Sequence, residues 1–207
     1  MCASSPGQRE DRVSPKVACA VLAAGGSRRL GHPKQLALHR GRPLVRSVAE
    51  RVCRSRVAAV AVVVGAHAEP VRRALAGLHL AIVASPDWQR GLAESIRTAV
   101  AWASERRSDA LLITLADQPR LSVEHLNHLI AEFWRSGLSG LPAASFYARK
   151  CAVPALFPRR LFGALARLRG DYGASSLLND GRPVRRVSWS DGQFDVDSVE
   201  SERRLLA

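Results

Sequence analysis

Apolar and polar residues along this chain fall into blocks with two different periods. Apolar runs of strand length, interrupted only by Thr114, occupy residues 17–22, 57–64, 80–84 and 110–115. Such runs predict strands that are covered on both faces of a sheet. Between these runs, apolar residues recur at helical spacing in residues 44–52, 70–76 and 92–103, and again after Ser122. Strands that alternate with helices predict an α/β fold with a mostly parallel sheet.

The rest of the chain continues this alternation and contains no internal repeat. Residues 141–157 predict one or two strands, residues 159–168 a helix, and residues 173–178 the start of another. Two strand-like stretches, 183–189 and 194–196, complete the pattern. No linker divides these elements, so residues 16–207 are predicted to form a single domain. Residues 1–15 combine serine, proline, glycine and alternating charges, a composition that predicts a disordered tail.

The net charge is strongly positive, at +13, from 31 lysine and arginine residues against 18 aspartate and glutamate residues. The arginines are spread along the whole chain and form no long block of like charge, so a nucleic-acid partner is not indicated. An arginine-biased proteome, or a site for an anionic small molecule, explains the charge more simply. No apolar run approaches the ~20 residues that a membrane helix needs, and the polar N-terminus is unlike a secretory signal. We therefore expect a cytoplasmic protein.

Cysteine and histidine positions give no metal or redox motif. The chain has four cysteines without a closely spaced pair, namely Cys2, Cys19, Cys53 and Cys151. They indicate neither a zinc site nor a redox pair, so free, buried, reduced thiols are predicted. The six histidines are scattered, and no cysteine or carboxylate cluster joins His125 and His128 as a zinc set. Both of these histidines are predicted to lie at the surface.

Candidate chemistry lies where the predicted strands end, because ligands of open α/β sheets bind beyond the carboxyl ends of the strands. The first such segment, residues 22–36, begins with small residues that let the backbone approach a ligand. Amides in loops of this kind face phosphate oxygens, and Arg29 and Lys34 add positive charge. Neither the P-loop nor the dinucleotide fingerprint is present. A plain glycine-rich turn with exposed basic residues is the alternative.

Carboxylates follow two other predicted strands. Asp117 comes after the strand at residues 110–115, where it either holds a hydrated magnesium ion or caps a turn before Pro119. Asp195 and Asp197 share one side of a strand, because successive side chains alternate between its faces. For this last pair, a solvated edge or a loop is the alternative explanation.

One long string gives these segments a common meaning. Residues 22–36 contain Leu-Ala-Ala-Gly-x-Ser-x-Arg-x-Gly-x-Pro-Lys-Gln-Leu. This string closely resembles the signature of the MobA-like nucleotidyltransferases and, within them, the molybdenum cofactor cytidylyltransferase branch. The resemblance covers roughly residues 17–200. It implies a Rossmann-like three-layer α/β/α sandwich with a mostly parallel sheet, of the nucleotide-diphospho-sugar transferase type.

The resemblance also implies roles for individual residues. Arg29, Lys34 and Asp117 match catalytic positions. Asp117 and Asp197 match a pair that binds Mg²⁺ or Mn²⁺, and Asp195 is the fallback for the second position. The implied nucleotide-binding residues are Leu22, Ala23, Ala24, Gly25, Gly26, Ser27, Lys34, Gly91, Ser95 and Asp117. The implied acceptor-binding residues are Gly170, Asp171 and Gly173. For the segment around Gly91, an ordinary helix N-terminus with a turn glycine is the alternative.

The implied reaction transfers a nucleotidyl group to a phosphorylated acceptor and releases pyrophosphate. Members of the family that use GTP usually have Leu-Ala-Gly-Gly, whereas those that use CTP have Leu-Ala-Ala-Gly, as here. The resemblance therefore implies CTP as the donor and the molybdenum-bearing pterin cofactor as the acceptor. An acceptor phosphate is mostly a dianion at neutral pH, so no general base is required. Ala152 and Ser175 stand where the family usually has glycine and arginine, which keeps a sugar- or polyol-phosphate cytidylyltransferase open as an alternative. A non-catalytic chaperone that binds the cofactor for a client molybdoenzyme, such as a dehydrogenase, is the alternative from another class.

Overall fold

The computed structural model describes residues 16–27, 32–135 and 140–193. Its strands are β1 (Val17–Ala23), β2 (Leu38–His39), β3 (Arg42–Pro43), β4 (Ala59–Val64), β5 (Ala81–Ala84), β6 (Ala110–Leu115), β7 (Ala143–Tyr147), β8 (Lys150–Pro158) and β9 (Arg185–Ser188). Seven of them form one sheet in the order β5-β4-β1-β6-β8-β7-β9, and β2 pairs with β3 in a small separate hairpin.

The sheet is parallel except at one strand. β1 runs parallel to both β4 and β6, β4 runs parallel to β5, and β7 runs parallel to β9. Among the described strands of this seven-stranded sheet, only β8, which lies between β6 and β7, is antiparallel to its neighbours. The carboxyl ends of β1, β4, β5 and β6 therefore meet at one edge of the sheet, where α/β proteins bind their ligands.

Helices cover both faces of the sheet. They are α1 (Leu44–Cys53), α2 (Ala68–Ala74), α3 (Leu92–Glu105), α4 (Val123–Arg135) and α5 (Phe162–Ala166). In β1, Cys19 and Val21 pack with the apolar sides of α1, α2 and α4, whereas Ala20 and Leu22 pack with those of α3 and α5. This alternation is the consequence of the two-residue period of a strand. The predicted three-layer sandwich with a mostly parallel sheet is confirmed.

Most predicted elements are present, although their ends and some types differ. Residues 141–157 contain two strands, β7 and β8, while the β2–β3 hairpin was not predicted. The helix predicted at residues 159–168 is a 3₁₀ turn (Arg159–Leu161) followed by the short α5, and residues 173–178 form another 3₁₀ turn (Ala174–Leu178). The predicted tail at residues 1–15 and strand at residues 194–196 lie outside the described residues, and the single-domain boundary stays a prediction. Within the described segments, no helix has the length and apolar character needed to cross a bilayer.

The cysteines follow the sequence prediction only in part. Cys19 and Cys151 are buried and unbridged, and burial raises the pKa of the Cys19 thiol far above its usual range. Cys53 is exposed instead, so the prediction of a buried thiol is wrong there. The reason is its place as the last residue of α1, where the helix ends and its side chain leaves the packed face. Cys2 lies outside the described residues.

Candidate active site

The loop that follows β1 presents backbone amides at the carboxyl edge of the sheet. The carbonyl of Ala24 accepts a hydrogen bond from Ala66 N at 3.2 Å, which fixes the loop against the end of β4. Within residues 16–27, 32–135 and 140–193, the amides of Gly25 and Gly26 have no hydrogen-bond acceptor. Unpaired amides on successive residues form a concavity that suits an anion.

Glycine lets an indole ring pack directly beneath this loop. A Cβ added to Gly26 would lie 3.1 Å from the Trp88 ring, and one added to Gly65 would lie 2.6 Å from the Ala24 carbonyl and 2.7 Å from Trp88. The two distances at Gly65 are too short for any side chain at that position. Gly65 therefore permits the close approach of β4, the loop and the Trp88 ring.

The buried side chain of Gln35 holds the two ends of the loop together. Its Nε2 donates to the carbonyls of Ala23 at 3.4 Å and Gly25 at 3.2 Å. The Ser27 hydroxyl donates to Gln35 Oε1 at 3.2 Å and accepts from Lys34 N at 2.8 Å. These bonds bring Lys34 and Gln35 back to the end of β1, so that Lys34 lies beside the loop that follows this strand.

Asp117 lies next to this loop, just beyond β6. Ala116 N donates to Leu22 O at 3.1 Å, which brings the residues after β6 to the end of β1. Lys34 Nζ forms an ion pair with Asp117 Oδ2, and both side chains are largely shielded, at 17% and 15% exposure. The other carboxylate oxygen, Asp117 Oδ1, is buried and has no hydrogen-bond partner among the described residues. An unpaired carboxylate oxygen that is buried needs a further partner, because its desolvation is costly.

A cleft of about 390 Å³ opens on the other side of the loop. The predicted site residues that line it are Ala24, Gly25, Gly26, Gly91, Ser95 and Asp171. Four further residues that were not predicted as site residues complete its wall, namely Trp88, Gln89, Arg90 and Leu92. The cleft therefore joins the β1 loop to the start of α3 and to the turn at Asp171.

The start of α3 is in direct contact with the turn at residues 170–171. Ala93 N donates to Gly170 O at 3.0 Å. Gly91 has a φ of +112°, and a Cβ at this position would lie 2.4 Å from the carbonyl of Gly170 and 2.8 Å from the Asp171 carboxylate. Only glycine fits both this backbone conformation and this approach. The turn predicted to bind the acceptor is thus held against the start of the helix that carries the predicted nucleotide-binding residue Ser95.

Replacing Gly91 with alanine is expected to lower the free energy of unfolding by more than ~2 kcal/mol, because the strained φ and the overlap with Gly170 add. Gly77→Ala is the matched control, since Gly77 has a φ of +83° but nothing within 4 Å of its added Cβ. That control is expected to cost only ~1 kcal/mol. Urea unfolding of both variants measures the difference, and equal losses would show that the contact with Gly170 is unimportant.

The sequence as a whole matches one family model. The MobA-like NTP transferase domain aligns with residues 19–186. The chain belongs to the MobA-like NTP transferase family. This family is one of nucleotidyltransferases, which supports nucleotidyl transfer as its general activity.

Relatives of this MobA-like protein match it over almost its full length. Nicotine blue oxidoreductase of Paenarthrobacter nicotinovorans is 34% identical over 206 residues, which cover 95% of this chain and 99% of that protein. Purine catabolism protein PucB of Bacillus subtilis is 32% identical over 203 residues, or 90% and 94% of the two chains. Among solved structures, Rv0371c of Mycobacterium tuberculosis has a TM-score of 0.79 and 33% identity, over 92% of this chain and 98% of that one. A manganese complex of Rv0371c has a TM-score of 0.76 and 30% identity, over the same shares.

The predicted metal site of this MobA-like chain is described only in part. Asp117 Oδ1 fits a divalent cation, because Mg²⁺ and Mn²⁺ bind oxygen ligands and this oxygen is buried and unpaired. Among the residues that the structure describes, no group of three or more histidine, cysteine, aspartate or glutamate side chains could hold a metal alone. Asp197, its fallback Asp195, and the predicted catalytic Arg29 lie outside the described residues, so their roles stay predictions.

The remaining predicted site residues occupy different positions around the cleft. Leu22 and Ala23 are buried within β1, where they support the loop rather than line the cleft. Ser27 shapes the loop through its hydroxyl. Gly170 contacts Gly91, and Gly173 is close to Leu92, since an added Cβ would lie 3.2 Å from its Cδ2. The roles of all these residues in binding remain predictions.

His125 is buried, at 6% exposure, so its predicted surface position is wrong, whereas His128 is exposed as predicted. The Nε2 atom of His125 lies 2.7 Å from Ser145 Oγ, and the Ser145 hydroxyl donates to Pro154 O at 2.7 Å. Because Ser145 has one hydrogen to give, it accepts from His125, and the imidazole carries a proton on Nε2. The ring also stacks on Trp189 at 4.9 Å. Burial, with a smaller effect of His128, lowers the pKa of His125 to about 4.

This lowered pKa predicts that the protein loses stability in mild acid. Since the unfolded chain takes up the His125 proton near pH 6.5 and the folded chain only near pH 4, the stabilisation is complete above pH 6.5 and is lost as the pH falls towards 4. The effect is on the order of 3 kcal/mol. His125→Gln keeps a donor for Ser145 but does not titrate. Urea unfolding between pH 7 and pH 4.5 should show a flatter profile for this variant, and an unchanged profile would contradict the assignment.

Proposed function

We propose that this protein transfers CMP from CTP to a phosphorylated acceptor, the molybdenum-bearing pterin cofactor, and releases pyrophosphate. The observation that carries the proposal is the pairing of Lys34 with one oxygen of Asp117, while the other oxygen is buried and has no partner within the described part of the chain. This pair lies beside a loop in which the amides of Gly25 and Gly26 have no acceptor among the same residues. A phosphate-binding loop, a lysine and an available carboxylate are the groups that phosphoryl chemistry needs in one place.

The reaction requires positioning and charge stabilisation rather than proton transfer. An oxygen of the acceptor phosphate attacks the α-phosphorus of CTP, a new P–O bond forms, and the bond to pyrophosphate breaks in line with it. Lys34 and the amides of Gly25 and Gly26 bind the triphosphate and stabilise the charge that develops. A divalent cation held by Asp117, with Asp197 as the proposed second ligand, supplies further charge neutralisation.

The two substrates are assigned to two neighbouring walls of the cleft. The nucleobase is proposed to lie near Gly91 and Ser95, because these residues line the cleft beyond the phosphate loop. The acceptor is proposed to approach from the turn that carries Gly170, Asp171 and Gly173. Asp171 lines the same cleft, which supports this arrangement.

The comparisons support the general activity and suggest the finer one. The manganese complex of the similar Rv0371c protein supports a divalent cation for this chain as well. One relative is named an oxidoreductase. However, the present sequence has no Gly-x-Gly-x-x-Gly segment for a dinucleotide, and the cleft of this chain is lined by the loop after β1, which is proposed to bind phosphate. A client molybdoenzyme and a cytoplasmic location belong to the same proposal.

A nucleotide panel tests the proposal. The protein is incubated with CTP, GTP, ATP or UTP, with Mg²⁺ or Mn²⁺ and the pterin cofactor, and pyrophosphate and nucleotidylated product are followed by mass spectrometry. We expect product with CTP and little with GTP, and Ala24→Gly is expected to relax this preference. Product with GTP alone would overturn the base assignment, and product only with a sugar or polyol phosphate would overturn the acceptor. Tight binding of the cofactor without pyrophosphate release would favour the chaperone.

A further inference from the structure

Gln118 follows Asp117 directly, and its side chain is almost completely buried, at 1% exposure. A buried carboxamide has two N–H groups and one oxygen to satisfy, so its partners reveal what it holds together. Gln118 Oε1 accepts from Thr114 Oγ1 at 2.8 Å and from Leu115 N at 3.3 Å. Its Nε2 donates to Val153 O at 3.0 Å. The side chain therefore links the end of β6 to β8.

The register of the two strands explains why this link is needed. β6 and β8 pair from Ala110↔Pro158 to Ile113↔Ala155, where the ladder stops. Continued pairing would place Leu115 opposite Val153, with the bond between them made directly by backbone groups. Pro154 has no N–H with which to continue the ladder. The Gln118 carboxamide instead lies between Leu115 N and Val153 O, so that the two strands separate while these two backbone groups keep a partner.

We propose that Gln118 is a positioning residue, which separates β6 from β8 and thereby fixes the Asp117 carboxylate for its cation. The proposal rests on the function proposed above for Asp117. Asp117 is the residue before Gln118 in the same turn, so the bonds to Thr114 and Val153 restrict its backbone from both sides. Because Val153 belongs to β8, Gln118 also sets the spacing between the Asp117 carboxylate and that strand.

A purely structural role would give a different pattern from a positioning role, and the chain offers a matched control. Ser145 is fully buried and donates to Pro154 O at 2.7 Å, on the residue next to the Gln118 acceptor. Removing its hydroxyl with Ser145→Ala costs two buried hydrogen bonds, one to Pro154 on the same strand and one from His125, yet leaves the Gln118 bonds in place. We expect Ser145→Ala and a substitution of Gln118 both to lower the unfolding temperature. Only the loss of a Gln118 hydrogen bond is expected to weaken binding of the cation.

The test measures Mn²⁺ binding to the full-length protein by electron paramagnetic resonance, without turnover. Gln118→Met, which keeps the volume but no hydrogen bond, is expected to weaken Mn²⁺ binding about 10- to 100-fold, as for other residues that orient a metal ligand. Thr114→Val, which removes one of the three bonds, is expected to give a smaller loss in a variant that folds more readily. Ser145→Ala is expected to bind Mn²⁺ within about twofold of the parent protein, since it leaves every bond around Asp117 intact.

Two results would overturn the proposal. One is unchanged Mn²⁺ binding in both Gln118→Met and Thr114→Val, and the other is an equal loss in Ser145→Ala. Because the measurement needs no substrate, its outcome is separate from that of the nucleotide panel. A parent protein that binds Mn²⁺ but transfers no nucleotide would refute the proposed function and leave the role of Gln118 to be decided by the same three variants.

Discussion

Replacing Lys34 with methionine is expected to lower the rate of CMP transfer by about 10²- to 10³-fold, the usual loss when a group that stabilises developing charge is removed. The same change is expected to strengthen Mn²⁺ binding to the nucleotide-free protein several-fold. The reason is the ion pair between Lys34 Nζ and Asp117 Oδ2, which engages half of the carboxylate. Without the ammonium group, the positive charge of Lys34 no longer competes with the cation for that carboxylate.

Two measurements separate these effects. Pyrophosphate release reports turnover, and electron paramagnetic resonance of Mn²⁺ without nucleotide reports the competition. Lys150→Met is the matched control, because it removes the same charge from an exposed position at the start of β8. This control should change neither quantity by more than about twofold, as expected for an exposed charge. Weaker Mn²⁺ binding in Lys34→Met would contradict the competition, whatever the effect on turnover.

The arrangement of the sheet could be predicted from the sequence only where local pattern determines it. The apolar runs that became β1, β4 and β6 are continuous apart from Thr114, because parallel strands are covered on both faces. The same feature gives no information about strand direction, because a continuous apolar run does not indicate whether the neighbouring strand is parallel or antiparallel. The reversed direction of β8 depends on pairing between segments about 40 residues apart, which no local pattern encodes.

The site was predictable to a similar degree. Lys34 and Asp117 could be assigned from strand ends and family resemblance, and the structure brings them together. Gln35 and Gln118 were missed as site residues because their roles depend on carbonyls and amides of distant strands. His125 carried a usable signal, since it precedes the buried Leu129 and Phe133 at intervals of four on the inner side of α4. Spacing of this kind indicates a buried histidine.

Asp117→Asn is expected to abolish measurable transfer, with a loss of roughly 10³-fold, because a cation that polarises phosphoryl oxygens contributes several kcal/mol. The amide retains the shape of the side chain but not its charge, so its interaction with Mn²⁺ weakens sharply. In this variant Lys34 loses the carboxylate partner of its ion pair, which removes a negative charge that opposes phosphate binding. Binding of CTP in the absence of a divalent cation is therefore expected to be kept or strengthened.

This expectation is the opposite of that for Lys34→Met, in which Mn²⁺ binding is strengthened and CTP binding is weakened. Calorimetric titration with CTP and chelator, beside Mn²⁺ titration, tests both variants in one set of conditions. Asp180→Asn is the control, since Asp180 pairs with Arg182 at 3.0 Å and does not line the cleft. If Asp117→Asn weakened metal-free CTP binding as much as Lys34→Met, the ion pair would be a structural brace for the loop. If the two variants diverge as expected, the ion pair instead holds two binding groups that the metal–nucleotide complex separates.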